Sequence, residues 1–163
     1  MIIKKGLLFF ISLLIVWIFL AGTDQQEIII GAIVSLLLTI IFFSKATIFS
    51  EFNLNPKAIF FFLIYIFVFI WELIKSNLDV AYRVIHPKIP INPGIVKVKT
   101  KLKSKLGRII LANSITLTPG TLTVETNGED YYIHWIDVTS DDIDEATKAI
   151  VCKFEKYLEV IFG

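Results

Sequence analysis

Three long runs without charged residues occupy most of the first 71 positions, and they constrain the fold more than any other feature. They are GLLFFISLLIVWIFLAGT after Lys5, IIIGAIVSLLLTIIFFS after Glu27 and AIFFFLIYIFVFIW after Lys57. The first two are close to the shortest length that crosses the hydrocarbon core of a bilayer. The third can continue as a helix until His86-Pro87 stops it. We therefore predict three transmembrane helices, near residues 6–23, 28–44 and 57–82, within a transmembrane region 1–86.

The distribution of charge supports this division of the chain. Hydrophobic residues make up 55% of the sequence, above the roughly 45–50% of soluble domains, while most charged residues follow Lys75. The first run could be mistaken for a cleaved secretory signal. However, Phe19 lies where a cleavage site ending at Ala21 needs a small residue, and a second apolar run follows at once. We expect the first helix to be retained.

Few polar residues are available for chemistry within the predicted membrane region. The first two runs contain no Asp, Glu, Lys, Arg or His, which argues against an ion path through this chain alone. Small residues at intervals of four share one face of the second helix, and they either pack against another helix or fall there by chance. They are Gly31, Ser35 and Thr39.

Glu72 is the one acid that could lie at membrane depth in the third run, and Lys75 follows one turn later. The two could form an interfacial ion pair that closes the span, with Trp71 in the aromatic belt. Alternatively, Glu72 could be a proton or ion stepping stone for a neighbouring protein. The sequence leaves this choice open.

A basic segment soon after the third run predicts that the C-terminal half is cytoplasmic and faces lipid head groups. Three spans would then place the N-terminus outside, together with Lys4 and Lys5. The orientation of the N-terminus therefore stays open. The basic segment consists of Lys97, Lys99, Lys101, Lys103, Lys105 and Arg108.

The C-terminal half is predicted to be a small α+β domain of β-α-β-β-α order over residues 95–163, after a Pro-rich linker at 87–94. Alternation in IVKVKTKL predicts a half-buried strand whose inward side chains are Val96, Val98, Thr100 and Leu102. Residues 108–117 can be a helix, with Ile109, Leu111, Ala112 and Ile115 turned inward, or a strand. Pro119-Gly120 predicts a type II turn.

A β-hairpin and a final helix complete the predicted domain. The hairpin follows Thr121 and turns at Asn127-Gly128. The helix is predicted to begin at Thr139 or Ser140, with aspartates in its first turn. Its apolar residues recur at helical spacing: Ile143, Ala146, Ile150, Val151, Phe154, Leu158 and Ile161.

No motif in the sequence indicates an enzyme, a catalytic site, a cofactor or a bound metal. His86 and His134 lie in unlike settings, the acids at 141–145 fit a helix start, and no P-loop or GxGxxG occurs. The lone Cys152 excludes an internal disulfide and is expected to be a small apolar filler on the last helix. The lysine-rich strand lacks aromatic residues interleaved for stacking, so no nucleic-acid partner is expected.

Three segments resemble the E subunit of bacterial multisubunit Na⁺/H⁺ antiporters, the Mrp or Mnh family. They are SITLTPGTLTVE at Ser114–Glu125, YYIHWIDV at Tyr131–Val138 and WELIKSNLDVAYRVI at Trp71–Ile85. The resemblance implies a small multi-pass subunit of the cell membrane within a hetero-oligomer that exchanges Na⁺ for H⁺, with other subunits and lipids as partners. Ion translocation in that family is assigned chiefly to large antiporter-like subunits. The motif carried over as an assembly element is Ile115, Thr116, Leu117, Thr118, Pro119, Gly120 and Thr121.

Two hypotheses of function follow from these observations. In the first, the chain is an accessory subunit that supports assembly and electrogenic exchange without a catalytic site of its own. In the second, it is an autonomous membrane-anchored domain that binds anionic lipid or nucleic acid through Lys97–Arg108. Cation preference, stoichiometry and the neighbouring subunits are left undetermined by the sequence.

Overall fold

A computed structural model describes residues 2–43, 51 and 55–163, and its contacts divide the chain into two compact units, Met1–Phe52 and Asn53–Gly163. The first unit contains two apolar helices, α1 (Ile2–Ala21) and α2 (Gln25–Phe42). They are joined by three residues, which is short enough to make them antiparallel neighbours. The second unit contains a long helix and the α+β domain.

The structure supports two candidate spans where the sequence predicted three. Within the described residues, two helices are long and apolar enough to cross a membrane, α2 and α3 (Pro56–Ile85), whereas the apolar helix Gly6–Ala21 is shorter. The end of the second predicted span, Ser44, lies outside the described residues.

Helix α3 begins and ends where its sequence permits. Pro56 occupies the first turn, where its missing N–H costs nothing, after Asn55 in extended conformation. The helix ends before His86, which is extended because Pro87 follows it. Contacts place α3 in the same unit as the sheet, whereas the sequence grouped it with the other apolar helices. It packs mainly against the last helix of the chain.

The α+β domain has the predicted β-α-β-β-α order, with the last helix divided in two. Its sheet is antiparallel in the order β1-β3-β2. The last two helices separate at Val151 because they pack on different surfaces, the first against β1 and the second against α3 and α4. The elements are β1 (Gly94–Lys99), α4 (Lys105–Leu117), β2 (Thr121–Asn127), β3 (Asp130–Trp135), α5 (Ile143–Ile150) and α6 (Cys152–Phe162).

The inward face of the sheet was predicted correctly. The four side chains assigned to the inside of the first strand are each at most 4% exposed. Tyr131 and Ile133 of β3 are buried on the same face. On the last helices the predicted apolar residues from Ala146 to Ile161 are buried, while Ile143 is half-buried.

Residues 108–117 are helical, and this settles the choice that the sequence left open. Ser104 caps α4, because its hydroxyl accepts a hydrogen bond from Gly107 N at 3.0 Å. Leu111 and Ile115 are buried as predicted, but Ile109 is 49% exposed. The expectation for Ile109 was wrong because the buried face of α4 runs through positions 107, 111, 114 and 115 instead.

Three local predictions also need correction. The hairpin turns at Gly128-Glu129, one residue later than expected, because Asn127 pairs with Asp130 as the last rung of the ladder. The helix after the sheet is capped by Asp142 instead of Thr139 or Ser140. The Asp142 carboxylate accepts hydrogen bonds from the backbone N–H groups of Asp144 and Glu145. Cys152 is exposed at the start of α6 and does not fill the core.

Candidate functional site

The ITLTPGT motif forms the end of α4 and the turn that leads into β2. Pro119 and Gly120 are the central residues of the turn, and Thr121 N donates a hydrogen bond to Thr118 O at 3.2 Å. Gly120 has φ +93, which is the left-handed backbone that a type II turn requires at this position. The predicted turn is confirmed.

The threonine hydroxyls of the motif satisfy backbone groups at the end of α4. Thr118 Oγ1 donates to Ser114 O at 2.7 Å, and Thr121 Oγ1 donates to Ile115 O at 2.7 Å. Thr116 Oγ1 accepts from Thr123 N at 3.1 Å. The last carbonyls of a helix lack intrahelical partners, so these hydroxyls stabilise the helix end and its junction with β2. Leu117 is 61% exposed.

The motif helix is also joined to α3 through a buried pair of hydroxyls. Tyr65 of α3 is 6% exposed, and its hydroxyl shares a hydrogen bond with the hydroxyl of Ser114. Ser114 Oγ also donates to Ile110 O at 2.7 Å. Because buried hydroxyls need partners, this bond fixes α4 against the first third of α3.

A cleft of about 270 Å³ separates the second half of α3 from the turn and the sheet, and ion pairs cross it. Glu72 Oε2 lies 3.1 Å from Lys153 Nζ of α6. Arg83 lies 2.8 Å from Asp137 after β3 and 2.8 Å from Asp79 on its own helix. We call this cleft, with its motif turn and its two crossing ion pairs, the α3–turn joint.

The structure corrects the predicted partner of Glu72. Its ion pair is with Lys153, not with Lys75, because α6 packs against the side of α3 that carries Glu72. Lys75 lines the same cleft and is exposed. The Glu72 side chain is 17% exposed and Lys153 is 30% exposed, so the pair lies at the edge of the joint.

The six cations of the basic segment are not equivalent in the structure. Lys97 Nζ lies 2.7 Å from Asp130, and the hydrogen bond that its ammonium group donates to that carboxylate raises the pKa of Lys97 above its usual range. Arg108 Nε donates to Leu102 O at 2.6 Å. Four exposed lysines remain on this segment: Lys99, Lys101, Lys103 and Lys105.

The small residues of α2 face α1. Gly31, Ser35 and Thr39 are the buried residues of that helix. A Cβ atom at Gly31 would lie 2.4 Å from Trp17 Cδ1 of α1. The absence of a side chain at this position therefore permits the indole to lie against the α2 backbone.

The part of the chain that the structure describes contains no group of three or more His, Cys, Asp or Glu that could hold a metal ion. The acids at the start of α5 include the capping residue Asp142. The geometry of the joint serves packing and charge pairing.

Sequence reasoning missed several residues that build the joint. The spacing of Asp79 and Arg83 at i and i+4 could have revealed their pair. Tyr65 could have been noticed as a hydroxyl within an apolar run, since buried tyrosine hydroxyls usually find a partner. Asp137 and Lys153 gave no local signal, because their partners lie 54 and 81 positions away in the sequence.

Gly120 lies close to Ile136 at the turn, which leaves little room for a side chain. Gly120→Ala is expected to destabilise the chain by at least about 1–2 kcal/mol, the cost of left-handed backbone for a residue with a Cβ atom. The new Cβ would also lie 3.0 Å from Ile136 Cγ2. The free energy of unfolding of the purified full chain in detergent measures this loss.

Gly128→Ala is the matched control for Gly120→Ala. Gly128 also has positive φ, at +60, but no atom lies within 4 Å of the added Cβ. Both variants place a Cβ atom on a residue with positive φ, but only Gly120→Ala also brings that atom against Ile136. An equal loss of unfolding free energy in both variants would show that the contact with Ile136 contributes nothing.

Together these features define a mostly helical, membrane-type chain that carries a small three-stranded antiparallel sheet. The family described as "Na+/H+ ion antiporter subunit" matches residues 10–161. The chain belongs to this family. The resemblance to the E subunit of Na⁺/H⁺ antiporters, noted from the sequence, is confirmed.

Individual relatives support the same assignment. The E1 subunit of the Na(+)/H(+) antiporter of Staphylococcus haemolyticus is 32% identical over 154 residues, covering 90% of each chain. The E subunit of the antiporter of Alkalihalophilus pseudofirmus is 41% identical over 96 residues, 58% of this chain and 61% of that protein. The latter match therefore spans less than two thirds of the relative.

A solved structure is similar over almost the whole chain. It is a chain in the membrane-bound sulfane sulfur reductase, described as an archaeal respiratory membrane complex. The TM-score is 0.86, and the sequences are 48% identical with 98% of this chain and 99% of that chain covered. This fold therefore occurs in a complex whose name describes a different chemistry from antiport.

Proposed function

We propose that the chain is an accessory membrane subunit of a multisubunit cation/proton antiporter that supports assembly and Na⁺/H⁺ exchange. The observation that carries the proposal is the family match over residues 10–161. The chain has no catalytic site of its own in this proposal. Its partners are the other subunits and membrane lipids, and Na⁺ and H⁺ are the ions of the complex.

The composition of the first unit supports an accessory role. No ionisable residue occurs from Gly6 to Thr23 or from Ile28 to Phe42. An ion path through hydrocarbon needs polar or ionisable groups because an isolated charge there is costly. The ions therefore cross elsewhere in the complex, and this chain contributes packing surfaces.

The α3–turn joint supports an assembly role for the motif. Its hydroxyls stabilise the end of α4, and its ion pairs join α3 to α6 and to Asp137 after β3. A rigid second unit offers neighbouring subunits a fixed surface, which lowers the entropic cost of association. In this proposal the domain lies in the cytoplasm, because the exposed lysines of the basic segment favour that side.

The similarity to the sulfane sulfur reductase chain favours a second candidate. In that case the chain would be the corresponding subunit of an archaeal respiratory membrane complex. The identity of 48% over nearly the whole chain exceeds the 32% and 41% of the two antiporter relatives. The alternative of an autonomous lipid- or nucleic-acid-binding domain receives no support from these relatives.

Isolation of the native complex through an affinity tag on this chain tests the proposal. We expect antiporter subunits to co-purify and to be identified by mass spectrometry. The reconstituted complex should move protons in response to Na⁺, and a complex without this chain should lose assembly or exchange. Co-purification of sulfur-reductase subunits with sulfane-sulfur reduction would favour the second candidate. Unchanged assembly and transport without the chain would reject the subunit role.

Glu72 provides a separate prediction. Because its carboxylate pairs with Lys153 at the edge of the joint, Glu72→Gln should leave exchange largely intact and cost at most about 1 kcal/mol of stability. Na⁺-dependent proton movement in vesicles measures the outcome, with Asp79→Asn as a control acid on the same helix. A large loss of exchange by Glu72→Gln alone, in a fully assembled complex, would instead place Glu72 on an ion path.

A further inference from the structure

Helix α3 exposes a continuous apolar stripe along nearly its whole length. Successive residues of a helix are rotated by 100° about its axis. Viewed along that axis, the large side chains of the stripe lie within about 40° of one direction. The stripe extends from residue 60 to residue 85, about 38 Å at 1.5 Å per residue, and it is longer than the roughly 30 Å hydrocarbon core. Its exposed members include Phe60, Phe67, Trp71, Ile74, Leu78 and Ile85.

The opposite side of α3 is attached to the α+β domain over the same length. Near its beginning, Phe61 contacts Tyr157 of α6, with ring centroids 6.4 Å apart. One turn later, Tyr65 is bonded to Ser114, and in the middle Glu72 pairs with Lys153. Near its end, Arg83 pairs with Asp137. The domain therefore accompanies α3 from one end to the other.

This attachment conflicts with a crossing of the bilayer by α3. Residues of α6 pair with α3 in reverse order, Tyr157 with Phe61 and Lys153 with Glu72, so α6 lies along the apolar half of α3. The α6 helix exposes Lys156 and Glu159. A crossing α3 would carry these charges, and the loops of the domain, into hydrocarbon, where both are unfavourable.

We propose that α3 lies in the plane of the membrane interface, with its stripe embedded in the bilayer surface and the α+β domain in water. The partner of this surface is the lipid bilayer. Trp71 and Tyr82 lie on or beside the stripe, and such rings favour the interface. Lys57 and Lys75 are exposed on one flank, about five helical turns apart, where they suit anionic head groups.

Spin labels along the stripe test the proposal in the assembled complex. The complex is isolated through a tag on this chain and reconstituted in vesicles of phosphatidylcholine and phosphatidylglycerol. In a Cys152→Ser background, single cysteines replace Phe60, Phe67, Leu78 or Ile85, and each carries a nitroxide. Relaxation by oxygen and by a water-soluble nickel chelate then gives the depth of each label.

We expect the four labels to lie at one depth, about 5–10 Å into the boundary between head groups and acyl chains. Labels at Ile29, Ile33, Leu36 and Ile40 of α2, which are also exposed, provide the control for a crossing helix. Their depth should change by up to about 15 Å between the end and the middle of the span. Leu63 and Ile74 replace any α3 position whose variant fails to assemble.

Three results would overturn the proposal. A depth profile along α3 that rises and falls like that of α2 would show a crossing helix. Poor access of both reagents to all four labels would show that a neighbouring subunit covers the stripe. Free access of the nickel chelate to all of them would place α3 in water. None of these results depends on which complex contains the chain.

Discussion

Replacing Phe154 with Ala is expected to lower the free energy of unfolding by about 3–5 kcal/mol, the usual cost of removing a buried aromatic ring. Phe154 is fully buried on α6, and its ring lies 6.4 Å from Tyr65 and 6.3 Å from Phe69, both of α3. The variant leaves a cavity where α3 meets the domain. Denaturant unfolding of the purified full chain in detergent, followed by circular dichroism, measures the loss.

Phe67→Ala is the matched control, because it removes the same side chain from a position that is 72% exposed. We expect this variant to change the free energy of unfolding by no more than about 0.5 kcal/mol. Similar losses in the two variants would contradict the packing of α3 on α6. This comparison also bears on the interfacial position of α3, which requires that attachment.

Replacing Gly31 with Leu is expected to disrupt the pairing of α1 and α2. Even a Cβ atom at this position would lie 2.4 Å from Trp17, so the helices must separate or the indole must move. Overpacking of this kind costs about 1–3 kcal/mol. The expected result is a lower free energy of unfolding for the full chain, together with poorer recovery of the complex.

A double variant identifies the cause of this loss. Trp17→Ala in the Gly31→Leu background removes the ring that the new side chain meets, so it should restore part of the lost stability. Residues in contact show coupling energies of about 0.5–3 kcal/mol in such cycles. Strictly additive losses would show that Gly31 and Trp17 do not pack against each other.

Much of the local structure could be predicted because short-range rules govern it. The Pro119-Gly120 turn follows from the conformations that these two residues permit. The inward side of β1 follows from the alternation of Val96 and Val98 with lysines. The conformation of residues 108–117 remained open in the sequence, since the segment fits a helix while the alternation of its final four residues fits a strand.

The joint could be predicted only in part. The motif and Glu72 attracted attention as local features, but the partner of Glu72 was assigned to Lys75 because helical spacing was the only geometry available. The observed partner, Lys153, comes from a helix 81 positions away. Similarly, Ser114 was noted only as the first residue of the SITLTPGTLTVE segment. Its bond to Tyr65 could not be predicted without knowing how α4 packs on α3.

The sequence by itself determined the class of protein, the apolar character of the N-terminal helices and the order of elements in the α+β domain. These properties depend on composition, on periodicity and on turn residues, which act within a few positions. Only the tertiary structure decided where α3 packs. The apolar run that begins after Lys57 has the hydropathy of a membrane span, yet one of its faces is covered by α4 and α6. Hydropathy records how apolar a helix is, whereas its environment depends on long-range packing.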